Sequence, residues 1–128
     1  MVLFRKKRGE QPLDLDERSP TTGLKHKDLL VLHQLMQAGA DLKQPRHTVH
    51  YLYFTSPEAA TAASQEAQDG GFEAEVREPL PDYPGQWSLV CGRHGVVVDP
   101  ATVRDHGDLF DSLADRHGGD YDGWEASV

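Results

Sequence analysis

The 128-residue sequence has a single cysteine, Cys91, and lacks long apolar runs. One cysteine excludes a disulfide within the chain, which fits a reducing compartment. No stretch approaches the ~20 apolar residues of a membrane helix. The first residues place an apolar run before a basic one, the reverse of a secretory signal. We therefore expect a cytoplasmic protein without membrane contact, in which Cys91 is a buried structural thiol.

Basic residues are also scarce, since 13 Lys and Arg stand against 21 Asp and Glu, a net charge of −8. A surface that binds nucleic acid needs Lys and Arg to replace counterions at the phosphates. The composition therefore predicts no direct nucleic-acid contact and favours a basic protein partner or plain solubility. The exception is the basic cluster at residues 5–8, which is either a solvated arm or an RNA-contacting tail.

Motifs for catalysis are missing as well: there is no Gly-x-Ser-x-Gly elbow, phosphate loop or dinucleotide fingerprint. His47 and His50 lie three apart on a predicted strand, so they face opposite sides and cannot share a metal ion. His26 and His33 could align on a helix, but nothing completes a site around them. The sequence predicts no enzyme activity, no metal site and no cofactor.

The folded part begins after a leader. Gly, Pro and charges without periodicity predict a flexible polar and basic lead-in at 1–23, followed by a single domain at 24–128. Apolar periodicity predicts a first helix at about 25–38, with an apolar face wider than one sheet contact requires. Ser56 and Asp99, each followed by proline, are typical N-caps and predict helices at 57–69 and 100–117.

Alternating segments predict four strands, at about 47–54, 72–77, 87–93 and 120–125. The first is apolar on both sides, which indicates a central strand covered on both faces. The second has one polar side and is typical of an edge strand. Residues 96–98 either extend the third strand past Gly95 or pair back as a hairpin.

The element order predicts the fold class α+β, a two-layer ferredoxin-like sandwich (βαββαβ, four-stranded antiparallel sheet) with an extra N-terminal helix. The helices at 57–69 and 100–117 should share one face of the sheet. The extra helix should cover part of the face that they leave open.

The candidate partner-binding site is the C-terminal segment of Asp120, Tyr121, Asp122, Gly123, Trp124 and Glu125. Tyr and Trp dominate binding hot spots, and carboxylates would steer a basic partner. The two rings either fold back as a lid on the core or anchor the partner. We favour a mixed arrangement, in which Tyr121 and Trp124 pack one side against the core while the carboxylates face outward. Tyr51 and Tyr53, in the run His-Tyr-Leu-Tyr-Phe, are interpreted as core residues.

Several motifs together resemble one protein family. They are Gly-Ala-Asp-Leu at 39–42, Pro-Arg at 45–46 leading into His-Tyr-Leu-Tyr-Phe, an Ala-rich helix closed by Gly-Gly-Phe-Glu at 70–73, and Gly-Asp-Tyr-Asp-Gly-Trp at 119–124. Their order and spacing over residues 25–126 resemble the regulator of ribonuclease E activity B family. The resemblance implies an α/β sandwich without an active site that binds the endoribonuclease RNase E and inhibits RNA cleavage.

We therefore predict a non-catalytic, protein-binding regulator of RNA turnover whose partner is an RNase E-type endoribonuclease. The alternative is a generic ferredoxin-like interaction or ligand-sensing module unrelated to RNA decay. The oligomeric state is left open by the sequence.

Overall fold

The computed structural model of the protein describes residues 2–5 and 15–128. Its elements in chain order are β1 (Val2–Arg5), α1 (His26–Gln37), β2 (Arg46–Phe54), α2 (Pro57–Asp69), β3 (Glu73–Arg77), β4 (Trp87–Val96), α3 (Pro100–Arg116) and β5 (Asp120–Ala126). The strands form one antiparallel sheet in the order β1-β5-β2-β4-β3. The predicted α+β class and ferredoxin-like order are confirmed, with β2 and β4 central and β3 at an edge.

β1 is the strand that the sequence analysis missed, because four residues are too few to show a period. It pairs with the outer edge of β5, so that Val2 lies opposite Ala126 and Arg5 opposite Gly123. The predicted four-stranded sheet therefore gains a fifth strand, which comes from the stretch interpreted as a lead-in. The basic residues 6–8 lie outside the described part of the chain.

The helix boundaries follow from the capping residues. Ser56 Oγ accepts a hydrogen bond of 3.1 Å from the Ala59 N–H at the start of α2. Asp99 Oδ1 accepts one of 2.8 Å from the Thr102 N–H at the start of α3. Both caps satisfy N–H groups that have no partner within the helix, as predicted. β4 continues past Gly95 to Val96 as one strand. Of the two alternatives for this segment, the extended strand is therefore found and the hairpin is not.

All three helices lie on one face of the sheet, which we call the helix face. Leu52 of β2 packs in one cluster with α2 and α3 residues such as Ala63 and Phe110. Val31 of α1 packs in a second cluster with Val103 of α3 and the β5 residue Trp124. The prediction that the first helix covers the opposite face was wrong: its wide apolar surface contacts both α3 and the sheet, and so extends the same layer.

No helix in the described part of the chain packs on the opposite face, which we call the open face. Strand register assigns to it Glu73, Glu75 and Arg77 of β3, Ser88 and Val90 of β4, Val49, Tyr51 and Tyr53 of β2, and Asp120 and Glu125 of β5. No residue of β2 is exposed, and Val49 on the open face is only 8% exposed. The prediction that β2 is covered on both faces therefore stays a prediction. The two tyrosines of β2 are half-buried, because an apolar ring with a polar tip is stable at a partly wet surface.

Candidate functional site

The predicted site on β5 is divided between the two faces by a bulge. Tyr121 and Trp124 are three residues apart, so regular alternation would send their rings to opposite faces. The register between β5 and β2 shifts beside Gly123, where β5 has one additional residue. Gly123 has φ 137°, a backbone conformation that is strained for other residues. The bulge places both rings on the helix face.

Both rings are core residues. Trp124 is 4% exposed, and its indole N–H donates a 2.9 Å hydrogen bond to Asp28 Oδ1 of α1. Tyr121 is 7% exposed, and its hydroxyl shares a 2.7 Å hydrogen bond with His50 Nδ1. Of the two alternatives left by the sequence, the rings therefore form a lid on the core, and neither is an exposed anchor.

A buried ionic cluster surrounds the Trp124 indole. Burial raises the pKa of the Asp28 carboxyl, whereas the indole hydrogen bond and the neighbouring Lys27 and Lys25 lower it. Lys27 Nζ lies 3.2 Å from Asp16 and 5.1 Å from the centre of the Tyr121 ring. These contacts attach α1 to β5 across 96 residues of sequence, a separation at which no local pattern predicts a pair.

His50 lies at the centre of the core between aromatic rings. Its imidazole stacks on Phe110 with centroids 4.3 Å apart, and burial lowers its pKa well below the usual value. His50 Nε2 and Thr48 Oγ1 have no hydrogen-bond partner among the described residues. Both residues line a cavity of about 10 Å³ beside His106, which is the space that one water molecule needs. The cavity is too small for an organic substrate.

The remaining histidines and the cysteine considered in the sequence analysis lie in separate places. His47 lies against Gly92, on the face opposite His50, so the two imidazoles are separated as predicted. Burial raises the pKa of the Cys91 thiol to about 12, which fits the predicted structural role. Within residues 15–128, no group of three or more His, Cys, Asp or Glu side chains is arranged to hold a metal ion. None of the helices described has the length and apolar character of a membrane span.

The carboxylates of the predicted site belong to the other side of β5. Asp120 is exposed and lies opposite Tyr53, and Glu125 lies opposite Val49. The Tyr51 hydroxyl donates a hydrogen bond to the Glu125 carboxylate, which places these two side chains together on the open face. Asp122, beside the bulge, is half-buried.

The sequence analysis interpreted Tyr51 and Tyr53 as core residues, whereas both are half-buried on the open face. Tyr51 and Tyr53 occupy consecutive same-face positions on β2, whereas the positions between and beside them hold His50, Leu52 and Phe54. A ring with a hydroxyl at two successive positions of one face is typical of a half-wet surface, and this signal was available. The structure thus places two carboxylates of the predicted site, Asp120 and Glu125, beside Tyr53 and Tyr51 of β2, which the sequence analysis had not included in the site.

The fold and surface define a ferredoxin-like α+β domain with one helix-covered face and one open, acidic and aromatic face. A family model described as Regulator of ribonuclease activity B matches residues 25–126. The chain belongs to this family, whose name implies regulation of ribonuclease activity and hence a partner of ribonuclease type. A search of curated proteins finds no match.

Proposed function

We propose that this protein is a non-catalytic regulator that binds an RNase E-type endoribonuclease and lowers its rate of RNA cleavage. Family membership supports a ribonuclease as the target. The net charge of −8 disfavours competition for the RNA itself, because an acidic surface repels phosphates. We therefore assign the regulation to protein–protein contact, in the cytoplasm.

The observation that carries the proposal is the division of β5 between core and surface. Its rings are held in the core by Asp28 and His50, which fixes the strand. The carboxylates of Asp120 and Glu125 are on the open face, where they meet no helix of the described chain. We assign the nuclease contact to Asp120, Asp122 and Glu125, with Tyr121, Gly123 and Trp124 as the support that positions them.

The test is an RNA-cleavage assay with a purified RNase E-type nuclease and this protein. The variant Asp120→Asn/Asp122→Asn/Glu125→Gln keeps the shape of each side chain and removes three charges. We expect inhibition to weaken about tenfold or more, since complementary charges act on association and register. The inhibition should also fall as salt rises.

A matched control removes the same charges elsewhere. Glu58, Asp69 and Asp115 are exposed on the outer sides of α2 and α3. The variant Glu58→Gln/Asp69→Asn/Asp115→Asn has the same net charge as the β5 variant and should inhibit like the wild type. If both variants lost inhibition equally, net charge alone would explain the loss, and β5 would not be the contact.

A second arm tests the non-catalytic character. The protein alone, freed of contaminating nuclease, should leave the RNA intact with and without added magnesium. Cleavage that a point change in this chain abolishes would overturn the proposal. Failure to bind or inhibit any RNase E-type nuclease would favour the alternative of a generic interaction or ligand-sensing module.

A further inference from the structure

The outer edge of β3 has no neighbouring strand among the described residues. The sheet order β1-β5-β2-β4-β3 places β3 at one end, where it is hydrogen-bonded to β4 on one side only. Alternate residues of an edge strand direct their N–H and C=O groups outward, and a further strand can pair with these groups. β3 therefore presents an edge at which the sheet can be extended.

The charges of β3 are arranged so that this strand can pair with a second copy of itself. Glu75 and Arg77 are exposed on the open face, and Val76 between them is half-buried on the helix face. A two-fold axis perpendicular to the sheet makes the two β3 strands antiparallel and keeps equivalent faces together. With this axis at Val76, Glu75 of each copy lies opposite Arg77 of the other. Both charge pairs are attractive, and the two Val76 side chains meet on the helix face.

The neighbouring registers place like charges opposite each other. An axis at Glu75 pairs Glu73 with Arg77 but sets Glu75 against its own copy. An axis at Arg77 sets two guanidinium groups together, and an axis at Ala74 places Glu73 opposite Glu75 twice. Directly opposed like charges destabilise a strand pair. In the register centred on Val76, Glu73 lies opposite Pro79, which has no N–H and ends the ladder.

The existing contact of Arg77 does not prevent this pairing. Within one chain, Arg77 Nη2 lies 3.3 Å from Glu75 Oε2, and the two side chains are 55% and 65% exposed. Water screens such an exposed pair, so little stability is lost when Arg77 turns to the carboxylate of another copy. Each carboxylate again faces a guanidinium, and no charge is left without a counterpart.

The flank of α2 above this edge is uncharged. α2 packs over β3 and β4, whereas α3 packs over β2 and β5. Glu66 lies on the α3 side of α2, since it is 3.4 Å from Arg116. The opposite side of the helix, which points past β3, carries residues spaced by three and four: Pro57, Thr61, Ser64 and Gln68. In a protein with a net charge of −8, an uncharged flank reduces the repulsion of a second copy.

We infer that the edge of β3 is a self-association surface, at which two copies of this chain pair about Val76 and join their sheets. The Glu75–Arg77 contacts select the register, the outward backbone groups hold the two strands, and the uncharged flanks of α2 adjoin. One short strand buries little surface, so the dimer is weak and depends on concentration. The inference goes beyond the proposed function and does not rest on it, because β5 lies three strands away from β3.

Sedimentation of the full chain from about 10 μM to about 1 mM measures the association. Glu75→Arg sets a second cation opposite Arg77, and Arg77→Glu sets a second carboxylate opposite Glu75. Each variant should weaken dimerisation about tenfold or more. Glu75→Arg also lowers the net negative charge, so its loss of association would not come from general repulsion. Both positions are exposed, and each variant should keep the melting temperature of the wild type.

An equimolar mixture of the two variants tests the register. The reversed residue of one variant then faces the reversed residue of the other, and the two native residues also face each other. All pairs are attractive again, so the mixture should associate about as tightly as the wild type. Glu73→Gln is the matched control, because Glu73 is exposed on the same side of β3 but lies opposite Pro79. It should associate like the wild type.

A wild-type chain that stays monomeric at about 1 mM would overturn the inference. A mixture that associates no better than its two components would also overturn it, since residues 75 and 77 would then not face each other. Weaker association of Glu73→Gln would contradict the axis at Val76 and place it at Glu75. Restored association in the mixture, with an unaffected Glu73→Gln, is the result that we expect.

Discussion

The two faces of the same sheet differ in how their polar groups are treated. On the helix face, polar side chains are enclosed: Asp28, Thr48 and His50 are each at most 4% exposed. On the open face, carboxylates such as Asp120 and Glu73 remain in contact with water. Because a polar group costs free energy only when it is desolvated, changes on the helix face should affect folding and changes on the open face should affect binding.

The largest expected effect comes from adjacent residues on β5. Trp124→Ala removes a buried ring and leaves the Asp28 carboxylate without its donor, so we expect a loss of about 3–5 kcal/mol in the free energy of unfolding. Glu125→Gln, one residue away on the open face, should change it by less than about 0.5 kcal/mol. Urea denaturation measures both, and a similar loss in the two variants would break the distinction between the faces.

A pair of glycines before β5 provides the second test. A Cβ on Gly119 would lie 2.4 Å from ring carbons of Phe54 and 2.6 Å from the Tyr53 carbonyl oxygen. Gly119→Ala should therefore cost about 1–3 kcal/mol or more through overpacking against the helix-face core. Gly118 has open space around it and φ 67°, so Gly118→Ala should cost only about 1 kcal/mol of backbone strain. Thermal unfolding of both variants gives the ranking, and the reverse order would refute it.

The third prediction concerns pH. Burial lowers the pKa of His50 and of His106, so the unfolded chain takes up protons at a higher pH than the folded one. The two neutral imidazoles contribute fully to the free energy of unfolding above the unfolded-state histidine pKa of about 6.5. As pH falls below that value, the contribution decreases by up to about 1.4 kcal/mol per pH unit for each histidine. The Asp28 carboxyl, whose pKa is raised, opposes this trend at more acidic pH.

Urea unfolding measured from about pH 7.5 to pH 5.5 should show this decrease. The variant His50→Gln should have a shallower slope, although its stability at neutral pH is also lower because Tyr121 loses its imidazole partner. A stability that does not change over this range would contradict a neutral, buried His50.

The smallest effect is expected at Thr48. Its hydroxyl has no hydrogen-bond partner within the described residues, so Thr48→Val removes a buried hydroxyl without breaking a hydrogen bond among them. We expect unchanged stability or a gain of up to about 1 kcal/mol. Ser56→Ala is the matched hydroxyl deletion, and it should cost about 1 kcal/mol because Ser56 caps α2. A clear loss in Thr48→Val would mean that a water in the adjacent cavity satisfies the hydroxyl.

Much of the fold was predictable because the signals are local. Ser56 and Asp99 cap their helices through N–H groups three residues away. The alternation in β3 and the apolar character of β2 placed one strand at the edge and the other at the centre. The candidate site was predictable only as a segment: residues 120–125 form one strand, but regular alternation would have sent its two rings to opposite faces.

The sequence by itself determined the order of the elements from α1 onward, the capping, the acidic balance and the family, since each depends on residue identity and short spacing. Only the tertiary structure decided which side of the sheet the first helix covers and where the β5 side chains lie. The reason is physical: both depend on long-range contacts such as that of Trp124 with Asp28, and on a one-residue bulge at Gly123. Such a bulge changes the face of every side chain that follows it while leaving the local hydrophobic pattern unchanged.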